Sequence, residues 1–491
     1  MSKQLSIKRK NTLVILLVLF GLISMTAIIV SAQSSVQDDN SLQDNAVLPL
    51  MNGGEFVKVE LASPNQGPDW QEYLPRSSIE KPEDVGKAAH TNLRILIPPN
   101  NTVINPVSHD EAVKNLNFFD KKDSVNPAIF PSYVNTPSSI ACIYQQVAQP
   151  ATQPSGCNPQ ITTVPPSGGG GAIAIVDAYD TPSAPKDMIN FSTYFDLPAA
   201  NFTVIYAGNA STSTGNKWPY TNGPQPPTGV GTGWDLETAL DIEWAHAMAP
   251  NARIFLVEAQ SNFNKDLYPA VQAAQYLVSH NGGGEISMSW GGTDNSGETS
   301  LDPIFNNASL SNVVHLASSG DTGGVVIYPS ASPYVFSVGG TTINRDANGN
   351  FVNETSWTSG GSGKSKYETR PSFQNSVQTV VGSQRGTPDF SMDANPSSGV
   401  AVTLAGTWHL VGGTSVSAPM SAGIFNVANA VNPNVVNVIF NALYNNGLDA
   451  AAFRDIASPT CGSGKGYNLC TGWGSLLGYG ASQKYSDMAR F

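Results

Sequence analysis

Two short segments of this 491-residue chain carry side chains whose types and spacing suit acyl transfer. The first reads GGTSVSAP at 412–419. It places Ser415 before a run of small residues with a helical pattern, where Pro419 is tolerated in the first turn. The second reads WDLETALDIEW at 234–244 and places Glu237 and Asp241 on one face of a predicted helix. A Glu carboxylate still accepts a proton at a pH where imidazole is protonated, so a serine nucleophile with this base would work in acid.

The carboxyl pair also has an ordinary interpretation, since Glu237 and Asp241 on a solvated helix face would only repel each other weakly. The flanking Trp234 and Trp244 and the mainly apolar surroundings favour a partly dry site instead. Two close carboxyl groups in such a site titrate together and hold one proton over some range of pH. One ionised member could then accept the hydroxyl proton of Ser415 while the other holds it in place.

A third segment, ASSGDTGG at 317–324, follows directly on an apolar run that predicts a buried strand. Open α/β sheets bind ligands in loops at the carboxyl ends of their strands, so Asp321 is a candidate site residue. An Asp beside Gly is commonly a turn former, and that alternative stays open. In the functional alternative, Asp321 is protonated and donates a hydrogen bond to an oxyanion, which requires acid or a raised pKa. A helix N-terminus at Ser415 would favour the same developing negative charge.

The elements that must position these side chains are strands and helices in alternation. Apolar runs predict strands at 172–176, 254–257, 285–289 and 313–317. Helical patterns predict helices at 236–248 and 266–280. Such alternation predicts an α/β fold with an open, mostly parallel sheet and helices on both faces.

The N-terminal segment is typical of export. The basic cluster KRK at 8–10 precedes an apolar run at 12–30 and the small residues around Ala32, which predicts a signal peptide of residues 1–32. If residues 12–30 are not cleaved off, they would anchor the chain in a membrane. The sequence therefore predicts a secreted, extracellular protein, with membrane anchoring as the alternative.

The composition excludes some classes of partner and indicates the cellular compartment. Only 13% of the residues are charged and the net charge is −12, which argues against nucleic acid or an anionic membrane as the partner of the exported chain. The hydrophobic content of 40% does not suggest disorder. Four cysteines in two close pairs fit an oxidising compartment and suggest two short-loop disulfides, although spacing alone leaves the pairing open: Cys142, Cys157, Cys461 and Cys470.

Taken together, the segment that carries Glu237 and Asp241, SSGD at 318–321 and GTS at 413–415 resemble the sedolisin family of serine-carboxyl peptidases. YPSASPY at 328–334 and SVGGT at 337–341 also resemble that family, and the resemblance covers roughly 135–491. It implies a subtilisin-like fold and an endopeptidase that acts on protein or peptide substrates at acidic pH. It also implies four roles: Ser415 as nucleophile, Glu237 as general base, Asp241 as its supporting carboxyl and Asp321 as oxyanion donor.

Two further positions match residues that in some relatives extend the network behind the Glu, namely Asp177 and Trp290. Structural packing explains a Trp beside Gly equally well. Asp177 also belongs to a rival interpretation, an ordinary subtilisin-like triad of Asp177, His246 and Ser415. His246 lies inside a predicted helix with no Gly beside it, which is more typical of a packed or surface histidine. A further alternative is a non-catalytic secreted protein that retains the fold.

The C-terminal segment resembles the family's calcium loop, which implies one Ca²⁺ bound by oxygen atoms within 455–468. Asn468 stands where the family commonly has Asp, and a disulfide within the loop could stabilise it without metal. The implied ligands are a carboxylate, carbonyls and a side-chain oxygen of Asp455, Ile456, Gly464, Gly466 and Asn468.

Residues 33–133 occupy the place of the family's propeptide, and residues 134–491 that of its peptidase domain. The stretch TPSSIACIY at 136–144, a predicted short helix, resembles the start of the mature domain. The resemblance therefore implies a zymogen that is cleaved near 120–136. The expected partners are peptide substrates and the chain's own propeptide, and the expected state is a monomer.

Overall fold

The structure, a computed structural model, describes residues 56–59, 71–97, 133–146, 156–207, 222–306, 312–428, 443–444, 452–456, 458, 461 and 465–478. The predicted signal peptide, most of the expected cleavage region at 120–136, and Gly464 lie outside these residues. Within them, no helix is both long enough and apolar enough to cross a membrane.

The helices and strands of the described residues lie between 56 and 476. The helices are α1 (Pro137–Ile143), α2 (Ala184–Tyr194), α3 (Trp234–Met248), α4 (Asn264–His280), α5 (Gln378–Val381) and α6 (Thr414–Val427). The strands of the N-terminal half are β1 (Phe56–Val59), β2 (Gln71–Pro75), β3 (His90–Thr91), β4 (Arg94–Ile97), β5 (Ala172–Ala178), β6 (Asn201–Tyr206), β7 (Arg253–Ala259), β8 (Gly284–Met288), β9 (Trp290–Thr293) and β10 (Val313–Ser318). Those that follow are β11 (Ile327–Tyr328), β12 (Phe336–Arg345), β13 (Phe351–Ser356), β14 (Gly363–Thr369), β15 (Gln384–Thr387), β16 (Phe390–Asp393), β17 (Val400–Leu404), β18 (Thr407–Gly412), β19 (Phe453–Arg454) and β20 (Ser475–Leu476).

The central sheet has the order β19-β20-β16-β12-β10-β8-β5-β7-β6, with β13 paired to β12. All neighbours from β20 to β6 are parallel, whereas β13 and β19 pair antiparallel. The four predicted strands correspond to β5, β7, β8 and β10, and the two predicted helices to α3 and α4. The predicted open, mostly parallel sheet is confirmed.

Side chains of β5 alternate between two cores, as the period of a strand requires. Ile173 and Ile175 lie in a core cluster with residues of α3 and α6. Ala174 and Val176 lie in a second cluster with residues of α4. Because both faces of the strand are covered, its sequence is a continuous apolar run, and the prediction of helices on both faces is confirmed.

A second sheet joins the N-terminal segment to the strand that precedes Ser415. Its order is β1-β2-β4-β18-β17, with antiparallel pairing throughout. The short strand β3 does not take part in it and pairs with β9 instead. Residues 71–97, which belong to the region expected to be a propeptide, therefore contact the strands around the candidate site directly.

A helix cap and two disulfides stabilise the predicted short helix and two loops. The predicted helix at 136–144 forms as α1, and Thr136 caps it through a reciprocal pair of hydrogen bonds with Ser139. Both suggested disulfides are present, Cys142 with Cys157 and Cys461 with Cys470.

Candidate active site

Ser415 lies in the first turn of α6, directly after the end of β18. Gly413 joins the two elements with a φ of +105°, a conformation that L side chains rarely adopt. A Cβ at this position would also collide with the carbonyl oxygen of Asn92 and with Oδ2 of Asp321. Ser415 itself is fully buried, and its Oγ donates a hydrogen bond to the carbonyl oxygen of Ser289 over 3.1 Å.

Three buried carboxyl groups lie on the elements behind Ser415. Glu237 and Asp241 belong to α3, which is buried along its whole length, so a solvated helix face is the wrong interpretation. Asp177 lies near the end of β5 and is also fully buried. The Ser289 hydroxyl donates to Oδ1 of Asp241 over 2.8 Å. Among the described residues, both carboxyl oxygens of Glu237 and of Asp177 lack a partner in ordinary hydrogen-bond geometry.

The electrostatics of this cluster favour protonated carboxyl groups. Burial raises the pKa of Glu237 and of Asp241 well above the usual range, and the charge of Asp177 raises both further. The neighbouring Ser415 hydroxyl lowers the pKa of Glu237. Burial raises the pKa of Asp177 to about 7. Because the three groups repel one another's charge, they share protons, and the Ser415 hydroxyl is a neighbour of Glu237 in this cluster.

Asp321 follows β10 and contacts the residue that precedes Ser415. Its Oδ1 accepts hydrogen bonds from the backbone N–H and the hydroxyl of Thr414, over 2.8 and 2.9 Å. Its Oδ2 lies 3.6 Å from Nε of Arg94, and Arg94 also donates to its main-chain carbonyl. Burial raises the pKa of Asp321 to about 6, although Arg94 and Thr414 lower it. This carboxyl is therefore protonated in acid and ionised at neutral pH.

Residues 90–92 lie along β9 as a bound peptide would. Residues 90–91 pair antiparallel with 290–291. The N–H of Asn92 donates to the carbonyl oxygen of Ser289 over 3.3 Å and to Oγ of Ser415 over 3.1 Å. The carbonyl oxygen of Asn92 accepts a hydrogen bond from the N–H of Ser415 over 3.1 Å. The chain's own backbone thus occupies the cleft at the serine.

The side chain of Asn92 is nearly fully buried, and its Nδ2 donates to Oγ of Ser318 over 2.7 Å. Sequence reasoning missed Asn92, Arg94, Ser289 and Ser318. The apolar run at 93–97 was the one available signal. All of it but Leu93 forms β4, which begins two residues after Asn92, but nothing in its composition indicates the distant strand that it meets.

The rival triad does not assemble. His246 is buried on α3, and its Nε2 lies 3.0 Å from the carbonyl oxygen of Pro198. Burial lowers the pKa of His246 to about 4. In the described part of the chain, His246 hydrogen-bonds to Pro198. Among the same residues, Oγ of Ser415 contacts Ser289 and Asn92, and not His246.

Trp290 packs near the carboxyl cluster without a hydrogen bond to it. Its indole Nε1 donates to the carbonyl oxygen of Val176 over 2.7 Å. Val176 directly precedes Asp177, so Trp290 contacts the strand that carries this carboxyl. This hydrogen bond holds β5 in place, so the role of Trp290 in the structure is mainly one of packing.

The C-terminal loop does not present the ligand set that the resemblance implies. Nδ2 of Asn468 donates to the carbonyl oxygen of Ile456 over 3.2 Å, and an N–H directed at an implied ligand oxygen repels a cation. Oδ1 of Asn468 already accepts from the N–H groups of Cys470 and Thr471, over 2.9 and 3.0 Å.

Two other implied calcium ligands, Gly466 and Asp455, also contact each other. The N–H of Gly466 donates to Oδ1 of Asp455 over 3.3 Å. No group of three or more His, Cys, Asp or Glu side chains placed to hold a metal occurs in the described ranges. Asn468 therefore uses both its side-chain oxygen and its amide within the loop, and Gly464, another implied ligand, lies outside the described residues.

Comparisons with known proteins agree with this geometry. The sequence profile described as the subtilase family matches residues 186–474, more than half of the chain. Kumamolisin from Bacillus sp. (strain MN-32) is 32% identical, over 51% of this chain and 51% of its own. Sedolisin from Pseudomonas sp. (strain 101) is 27% identical, over 60% of this chain and 53% of its own. The chain thus spans about half the length of the curated relatives that it matches.

A solved structure has a similar fold. It is a Pseudomonas sedolisin, described as a serine-carboxyl proteinase complexed with two molecules of pseudo-iodotyrostatin. The two folds match with a TM-score of 0.56 at 22% identity, over 72% of this chain and 98% of the other. At this identity the likeness concerns the fold alone. The profile match and the curated relatives confirm the expected resemblance: the chain belongs to the subtilase family and, within it, to the sedolisins.

Proposed function

We propose that this chain is a secreted, acid-acting serine-carboxyl endopeptidase that cleaves peptide bonds through an acyl-enzyme on Ser415. One observation carries the proposal. The N–H of Ser415 donates to the carbonyl oxygen of a peptide segment, while its Oγ lies beside the N–H of the same residue, Asn92. A buried carboxyl cluster lies behind this serine, and the membership of the chain in the sedolisins supports the same chemistry.

In the proposed reaction, Oγ of Ser415 attacks the carbonyl carbon of the substrate, and its proton passes to Glu237. Asp241 and Asp177 share the remaining protons, so Glu237 can be the ionised group that accepts one without two further negative charges beside it. The leaving nitrogen takes the proton from Glu237 as the peptide bond breaks. Water, deprotonated by Glu237, then hydrolyses the acyl-enzyme.

The negative oxygen of the tetrahedral intermediate is stabilised by two donors in this proposal. One is the backbone N–H of Ser415, and the other is the protonated carboxyl of Asp321. Asp321 can donate only while it is neutral. With a pKa of about 6, it loses this proton as the pH rises towards neutrality, so the rate of hydrolysis falls there.

Export and maturation complete the proposal. Residues 1–32 act as a signal peptide, residues 33–133 as a propeptide and residues 134–491 as the peptidase domain. The pair of short-loop disulfides supports an oxidising compartment. The mature enzyme acts on protein or peptide substrates as a monomer.

A fluorogenic peptide assay from pH 3 to 8, after incubation of the chain in acid, tests the chemistry. We expect activity in acid that falls towards neutrality, no turnover for Ser415→Ala or Glu237→Gln, and near-normal turnover for the matched variant His246→Ala. Circular dichroism would verify that each variant is folded. If His246→Ala is inactive while Glu237→Gln retains activity above pH 7, the subtilisin-like triad is correct. If the wild type cleaves no peptide at any pH, the non-catalytic alternative holds.

A further inference from the structure

The segment 71–97 brings one particular peptide bond to the serine, the bond between Asn92 and Leu93. The carbonyl oxygen of Asn92 accepts from the N–H of Ser415 over 3.1 Å. A Cβ on Gly413 would collide with this oxygen and also with Oδ2 of Asp321, so the two oxygens converge on one point. The N–H of Ser415 thus contacts the carbonyl group of Asn92, and Oδ2 of Asp321, the second proposed donor, lies near it.

A single hydroxyl, that of Ser78, contacts residues on both sides of this bond. Before the bond, Oγ of Ser78 lies 2.7 Å from Oγ1 of Thr91. After the bond, it donates to the carbonyl oxygen of Leu93 over 2.9 Å and accepts from the N–H of Leu93 over 3.3 Å. The nitrogen that cleavage would release is thus held in place by the same segment.

The chain beyond the bond is anchored as well. Arg94 pairs with Glu72 of β2 and faces Asp321, and its guanidinium lies 5.0 Å from the ring centroid of Trp357. The strand that begins at Arg94, β4, pairs with both β2 and β18. A product that starts at Leu93 would therefore stay bound, and its amine would stay beside the acyl group.

We propose that Asn92–Leu93 is the reactive bond of a built-in inhibitor formed by residues 71–97, and that Ser78 makes its cleavage slow by holding Leu93 in place. The inference rests on the proposed function and specifies its regulation. It differs from the cleavage near 120–136 that the resemblance implies.

In the proposed step, Oγ of Ser415 forms a bond to the carbonyl carbon of Asn92, and the hydroxyl proton passes to Glu237. The bond to the nitrogen of Leu93 breaks as that nitrogen takes the proton. Water then releases Asn92 as a free carboxylic acid, or the held amine of Leu93 re-forms the peptide bond and restores the serine. The balance between these two outcomes decides how long the cleft stays blocked.

Incubation of the full chain at pH 4, followed by intact mass measurement and N-terminal sequencing, tests this inference. We expect a fragment that begins at Leu93 to accumulate slowly in the wild type and to be absent in Ser415→Ala. In Ser78→Ala, the fragment and the activity on a fluorogenic peptide should appear faster, by about fivefold for each net hydrogen bond lost.

The matched control is Ser77→Ala, because the Ser77 hydroxyl contacts Oγ1 of Thr91 at 2.8 Å, away from Leu93. This variant should behave as the wild type, and Ser78→Thr, which keeps a hydroxyl, should restore slow cleavage. An active wild-type enzyme with Asn92–Leu93 intact overturns the inference and leaves the proposed function standing, as does equal acceleration in Ser77→Ala and Ser78→Ala. A chain that cleaves neither its own bond nor any peptide overturns the proposed function, and the inference with it.

Discussion

The cleft at Ser415 and the C-terminal loop treat their buried oxygen atoms in opposite ways. In the cleft, Glu237 and Asp177 have carboxyl oxygens without a hydrogen-bond partner among the described residues. In the loop, the side-chain oxygen of Asn468 accepts from two backbone N–H groups, and its amide donates to a carbonyl oxygen. Both regions resemble functional sites in sequence, yet the unpartnered carboxyl oxygens lie in the first, whereas Asn468 of the second uses its polar atoms within the loop.

The difference follows from the cost of burying polar atoms. An unpartnered buried carboxyl group is expensive unless it is neutral, so it keeps its proton and can exchange it. A saturated amide has no such freedom, and it stabilises the loop whatever the pH. The unpartnered carboxyl oxygens of Glu237 and Asp177 therefore make the cleft the region of the two where protons can be exchanged.

Short of removing the nucleophile or the base, the largest effect on kcat should come from Asp321, whose Oδ2 also lacks a hydrogen-bond partner in the described part of the chain. Asp321→Ala should lower kcat by about 10²–10³ with little change in KM, because the donor acts on charge that exists mainly in the transition state. Asp321→Asn keeps a donor that needs no proton, so its activity should extend further towards neutral pH. Steady-state kinetics from pH 3 to 8 would measure both variants. A normal kcat for Asp321→Ala would make this residue a turn former.

A smaller effect is expected from Arg94, which faces Asp321 while the segment 71–97 occupies the cleft. Its positive charge lowers the pKa of Asp321, so Arg94→Met should raise that pKa above about 6. Asp321 would then stay protonated to higher pH, and the alkaline limb of the self-cleavage profile should move up by about one unit. Arg94→Lys keeps the charge and should leave the limb in place. An unmoved limb in both variants would mean that another group controls it.

The smallest effect, here on thermal stability, should come from removal of metal ions. Because Asn468 donates into the loop, a chelator should leave the thermal midpoint of the wild type unchanged. Asn468→Asp replaces that donor by a charge, which should lower the midpoint by roughly 2 °C in chelator and let added Ca²⁺ restore it. Scanning calorimetry with and without Ca²⁺ would measure this. A midpoint that falls when the wild type is chelated would mean that the loop binds calcium after all.

The sequence predicted the parts of the site whose signals are local. A continuous apolar run predicted β5, and carboxyls four residues apart predicted their shared helix face, because both signals depend on neighbours along the chain. The full burial of α3 was less evident, since a helix covered on all sides carries no contrast between an apolar and a polar face. The contact between Asn92 and Ser415 joins positions 323 residues apart, and no local pattern encodes such a pairing.

The pairing of β4 with β18 also determines what cleavage at Asn92–Leu93 would leave behind. β18 leads directly to Gly413 and Ser415, and without β4 one side of it would be an exposed edge with unpaired backbone groups. The cleaved bond lies just before β4, so β3 could leave the cleft while β4 remains paired. Opening of the catalytic cleft would therefore expose the edge of β9, along which residues 90–91 pair, while the edge of β18 beside the serine stays covered.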